Sequence, residues 1–183
     1  MTTVTLLPPT LLMQLNDSAA IMFYLAKKYP GPATPQGIHM EAKALDMWSV
    51  QQDYYSFVLS PMHDIILKGK DHRNLRLVDQ RTEGDDKTIK DLVELHRKRC
   101  DFLEKRLATV NGDYLCGEYT YADILLYTNV RTAQMCKGFQ GFRDVCGGDP
   151  FKDYPKICAI VDKVAAHPAI FKTAKKFTDT DGF

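Results

Sequence analysis

The chain has 183 residues, 45% of them hydrophobic and 26% charged, enough apolar material for one or two cored domains and too much for a disordered chain. Lys plus Arg (24) nearly balance Asp plus Glu (23), a net charge of +1, so no electrostatic footprint for nucleic acid or an anionic membrane is present. No run of eighteen apolar residues and no basic leader precedes the prolines at positions 8 and 9, and five cysteines (100, 116, 136, 146, 158) lack a Cys-x-x-Cys pair and metal-ligand spacing. These features read as a soluble cytoplasmic protein with reduced thiols and no metal or cofactor.

In chain order, Val4 to Leu15 supplies one strand, or two short ones broken at Pro8-Pro9. That is too little for an α/β domain, since a βαβ unit needs on the order of 30 residues. Asp17-Ser18 are preferred N-caps, the run Ile21 to Tyr29 is helical, Lys27 and Lys28 fall in its last turn, and Pro30-Gly31-Pro32 ends it. The first backbone N–H groups of such a helix lack partners within it, and a small hydroxyl beside them makes a generic receptor for a carboxylate or phosphate. From Pro35 the pattern stays helical. Met40, Ala44, Met47, Trp48, Tyr55, Val58 and Leu59 recur at intervals of three and four and predict a long helix over roughly 38–68, kinked before Pro61. The polar stretch 68–86 reads as a loop or fraying helix end, and Asp85-Asp86 as the start of a helix striped by Ile89, Leu92, Val93, Cys100, Leu103 and Leu107 up to the Asn111-Gly112-Asp113 turn. A helix over about 121–136, a glycine-rich connection (138, 141, 147, 148), a helix over about 155–166 and a last one after His167-Pro168 complete the chain.

The segment Gly117 to Tyr127 contains a capping box. Thr120 as N-cap accepts from the N–H of Asp123, the Asp123 carboxylate reaches back to the N–H of Thr120, and Tyr119 staples against Ile124. Its role is folding rather than chemistry. His63, His72 and His96 read as surface residues, His167 as a helix-boundary residue, and Cys116 as packed rather than reactive.

Gly117-x-x-Thr120-x-Ala122-Asp123 resembles the buried capping motif of cytosolic glutathione S-transferases, and Asp17-Ser18-Ala19-Ala20-Ile21 with Tyr24-Leu25 resembles their glutathione-holding segment. Tyr154-Pro155 leading to Val164-x-x-His167-Pro168-Ala169-Ile170 is similar to their closing helices. The class stays open between sigma- or mu-like and theta- or phi-like members. The fold implied is mostly α: residues 1–32 as a truncated remnant of the thioredoxin-like glutathione-binding domain, and residues 33–183 as the all-helical C-terminal domain.

The resemblance further implies that Ser18 binds the γ-glutamyl carboxylate of glutathione with Asp17 assisting, that Asp53 reaches the ligand's ammonium across a homodimer, and that Pro9 is the proline beside its cysteinyl backbone. Tyr54, Tyr55, Met62 and Phe183 are the candidates for an electrophile pocket. The implied activity is conjugation of glutathione, a co-substrate, to hydrophobic electrophiles. The family's thiol-activating residue, a Tyr, Ser or Cys near the first strand, has no assigned counterpart in residues 1–16. The alternatives are a non-catalytic structural or interaction module, or a fragment of a longer enzyme.

Overall fold

The computed structural model describes residues 4–5, 14–15, 18–67, 83–135, 139–168 and 170. Two short strands, β1 (Val4–Thr5) and β2 (Gln14–Leu15), pair antiparallel with Val4 opposite Leu15 and Thr5 opposite Gln14. Helix α1 (Ser18–Lys28) follows, then α2 (Gly37–Tyr54), a π-helical turn (Tyr55–Leu59) and α3 (Ser60–Leu67). After these come α4 (Glu83–Leu107), α5 (Tyr121–Met135), α6 (Gln140–Cys146) and α7 (Pro155–Ala166). The mostly helical architecture expected from the sequence is what the structure shows. Helix α5 is central, packed by α2, α6 and α7, while α4 closes the bundle against α3, α6 and α7.

The bend expected before Pro61 takes the form of the π-helical turn. In a continuous α-helix Pro61 would leave the Phe57 carbonyl without a donor and press its ring against it. Widening the preceding turn, so that the Ser60 N–H donates to the carbonyl of Tyr55 five residues back, accommodates the proline without ending the helix. Helix α4 starts at Glu83, two residues before the expected Asp85.

The glycine-rich connection contains a helix that the sequence reading did not expect. Phe142 is fully buried and anchors α6, its ring 5.1 Å edge-on from the His96 ring. Arg143 Nη1 donates to the Ala133 carbonyl near the end of α5 at 2.9 Å, and Gly147 closes α6 in the left-handed region at φ 69. Tertiary anchoring outweighs local propensity here. Helix α7 gains its start from a distant residue: Glu104 on α4 accepts from the N–H groups of Lys156 and Ile157 at 2.8 and 3.2 Å. A carboxylate there satisfies two first-turn donors and faces the positive end of the helix dipole.

Asp123 is buried and organises the α4–α5 connection. Its Oδ1 accepts from the Leu115 N–H at 2.8 Å, and its Oδ2 accepts from the Thr120 N–H at 2.7 Å and the Thr120 hydroxyl at 3.1 Å. The capping box thus differs from expectation in one respect, since the Thr120 hydroxyl donates to the carboxylate and the Asp123 N–H goes to the Thr120 carbonyl at 3.1 Å. Two glycines make the loop close enough for this: a Cβ on Gly112 (φ +121) would sit 2.3 Å from the Gly117 carbonyl oxygen, and one on Gly117 (φ +91) 2.5 Å from that of Asn111. Tyr119, expected against Ile124, stacks on His167 with ring centroids 5.0 Å apart.

Removing the Asp123 carboxylate orphans two buried backbone N–H groups, each costing about 1–3 kcal/mol. Asp123→Ala is expected to lower the unfolding free energy by about 3 kcal/mol in urea titration; an unchanged midpoint would sink the buried-cap account.

Candidate functional site

Ser18 opens α1 and is exposed, as a ligand-facing N-terminal residue must be. Asp17, Pro9 and Phe183 lie outside the described residues. No α1 residue is buried, although Ala19, Met22 and Ala26 rest half-covered on the core. The helix is tied to the body through Lys27, whose Nζ lies 2.7 and 2.9 Å from the two carboxylate oxygens of Glu41 on α2. The connector after it is held by a Gly31–Thr34 turn and by the Tyr121 N–H donating to the Ala33 carbonyl at 2.9 Å. The first N–H of α5 is one that no intrahelical bond uses. Segment and bundle are therefore joined at the helix end that Asp123 caps.

Asp53 faces solvent and pairs with Arg99 of α4 at 3.9 Å, while that guanidinium also lies 6.0 Å from the Phe57 ring centroid. It sits twelve residues beyond Glu41 on α2, roughly 18 Å along the axis at 1.5 Å per residue.

Tyr54 and Met62 do not line an accessible pocket, because they are 6% and 0% exposed and belong to the core. Tyr55, at 44% exposed, is open to solvent. The reason is periodicity: Met47, Gln51, Tyr54 and Val58 form one buried stripe, and Tyr55 falls off it. Met47 and Trp48 are buried on that side too, Trp48 meeting Tyr121 edge-on at 5.7 Å.

His96, expected on the surface, is 1% exposed. Its Nε2 lies 2.9 Å from the Pro150 carbonyl, which can only accept, so that nitrogen carries the proton. Nδ1 therefore accepts from the Tyr54 hydroxyl at 2.9 Å, with Cys100 Sγ 3.5 Å away. The rings of Phe142 and Phe151 stand edge-on to the imidazole at 5.1 Å each. Burial lowers the imidazole pKa and pushes the Cys100 thiol and Tyr54 hydroxyl well above their ordinary values. All three are uncharged at neutral pH, so the cluster cross-links α2, α4 and the Pro150 turn rather than forming a nucleophile–base pair. Cys116, raised to about 11 by burial, is likewise a packed thiol. The stripe Leu92/Val93, His96, Cys100, Leu103 carries the signal that places His96 inside.

The cavity beside this cluster, bounded by Gln51, Tyr54, Cys100 and Asn129, has a volume of about 20 Å³, room for one water. A wider surface cleft of about 420 Å³ lies between the end of α5 and α6. Its polar rim is internally paired, with Arg131 on Gln134 and Asp162, Gln134 on Asp149, and Gln140 on Asp144. Among the described residues no group of three or more His, Cys, Asp or Glu is arranged to hold a metal, and no helix is long and apolar enough to cross a membrane.

Residues 76–175, more than half of the chain, match the family model described as glutathione S-transferase, C-terminal domain. The chain belongs to this family. No curated protein matches it. Among solved structures, the glutathione S-transferase fold recurs in NaGST-2 at 24% identity and a TM-score of 0.65, over 93% of this chain and 70% of that one. It recurs also in a glutathione transferase family member from Pseudomonas fluorescens Pf-5, which has two glutathione bound, at 20% identity and a TM-score of 0.59, over 87% of this chain and 63% of that one. In this glutathione S-transferase domain, α4 to α7 fall within the matched range, and the capping box lies at its centre.

The His96 cluster makes stability pH-dependent. Its folded pKa is below the ordinary 6.5, so as pH falls the unfolded chain takes up the proton first; this contribution is full above about 6.5 and declines below it, by up to about 1.4 kcal/mol per pH unit. Urea midpoints are expected to drop between pH 7.5 and 5.5, and His96→Gln to flatten that slope. An equal slope in the variant would contradict the assignment.

Proposed function

We propose that this chain binds glutathione by its γ-glutamyl carboxylate at the start of α1, in the service of conjugating the glutathione thiolate to hydrophobic electrophiles. The observation that carries the reading is Ser18, exposed at the opening of an eleven-residue helix, in a chain of this family. A helix N-terminus offers oriented N–H groups and positive potential, and the serine hydroxyl adds a charge-assisted hydrogen bond. Asp17 is assigned the ligand's ammonium, Pro9 its cysteinyl backbone, and Asp53 the ammonium from a second subunit of a homodimer. In the reaction the thiolate forms the new C–S bond and the electrophile's leaving group departs with its electron pair. Residues 1–32 are taken as the glutathione side and 33–183 as the helical domain. A cytoplasmic setting is supported by Cys100, Cys116, Cys146 and Cys158, all unpaired thiols.

A second reading is favoured by Tyr54 and Met62. With both in the core and the Tyr54 hydroxyl committed to His96, the domain serves as a non-catalytic structural or protein-interaction module.

Titration calorimetry with reduced glutathione is expected to give saturable binding that Ser18→Ala weakens about tenfold, the loss of one hydrogen bond to a charged group. Absence of binding at millimolar glutathione would refute the proposal. Glutathione-dependent conjugation of 1-chloro-2,4-dinitrobenzene separates the readings: turnover supports the transferase, and binding without turnover the module.

A further inference from the structure

We infer that the Lys27–Glu41 ion pair is a clamp that sets the position of Ser18, making Lys27 and Glu41 positioning residues for the carboxylate site; the inference rests on the glutathione reading above. No residue of helix α1 is completely buried, and Ala19, Met22 and Ala26 rest half-covered on the core. At its far end the Lys27 ammonium spans both oxygens of Glu41 at 2.7 and 2.9 Å and lies 5.4 Å from the centroid of Phe23, one turn back on α1. The Glu41 side chain is 21% exposed and that of Lys27 55%, so the pair is partly solvated.

Beyond Lys27 the chain is fixed again, by the Tyr29 N–H on the Leu25 carbonyl at 2.8 Å and by Ala33 on Tyr121 at 2.9 Å. Helix α1 is thus clamped at its C-terminal end and half-covered along its length. Ser18 stands nine residues from the clamp, roughly 14 Å, so a tilt of about 5° there displaces Ser18 by roughly 1 Å. A displacement of that size is enough to spoil a hydrogen-bonding site.

The test uses calorimetric titration of the whole chain with reduced glutathione at low ionic strength, for the natural sequence, Glu41→Gln, Lys27→Met and the exchange Lys27→Glu with Glu41→Lys. Each single change is expected to raise Kd about threefold with the melting temperature unmoved, and the exchange to restore it. A Kd unchanged in both single variants overturns the inference. Amide hydrogen exchange over Met22 to Lys27 without ligand keeps the two proposals apart. If the natural sequence binds no glutathione, the glutathione reading fails, and the clamp is upheld by faster exchange in the single variants but not in the exchange variant. Unaltered exchange rates would remove the clamp as well.

Discussion

The buried Asp123 carboxylate is the interaction on which the rest of the structure depends. It draws three donors within the nine-residue span Leu115–Asp123 onto two oxygens, which fixes the loop at Leu115, starts α5 at Tyr121, and leaves the Tyr121 N–H pointing outward to take Ala33. Burial raises its carboxyl pKa while those donors pull it back down, the balance expected when a charge is buried with its hydrogen bonds complete. Because α5 touches α2, α6 and α7, an error in its starting point would propagate through the bundle.

Two further long-range polar ties complete the scaffold: His96 between Tyr54 and Pro150, and Glu104 at the start of α7. Each spends a polar side chain of α4 on an element distant in sequence. The result is a division of labour. The bundle from α2 to α7 is held by a continuous core with directed hydrogen bonds, whereas α1, which carries Ser18, is held by an ion pair, a turn and a half-buried face.

Much of this was legible from residue spacing. Period-3.6 stripes predict α2 and α4, helices are expected over about 121–136 and 155–166 where α5 and α7 lie, and the Gly117 to Asp123 spacing discloses the cap. What was missed follows from reading composition instead of period. Glycines at 138, 141, 147 and 148 argue for a loop, yet the inward aromatics Phe139 and Phe142 and the Arg143 bond to Ala133 hold α6 in place. His96, read as a surface residue, lies four residues before Cys100, which puts it on the buried stripe. Tyr54 and Tyr55 were grouped as adjacent aromatics, and only the 47, 51, 54, 58 register separates them. The partners of Glu104 and Ala33 are 52 and 88 residues away, beyond any local signal.

Native-state amide hydrogen exchange at Leu115, Thr120 and Tyr121 tests the central role of Asp123 most directly. The account predicts that these three amides exchange only through global unfolding, with the same opening free energy as the buried α5 amide of Val130. Opening of Leu115 and Thr120 by a separate local path, well below the global value while Val130 stays protected, would contradict it.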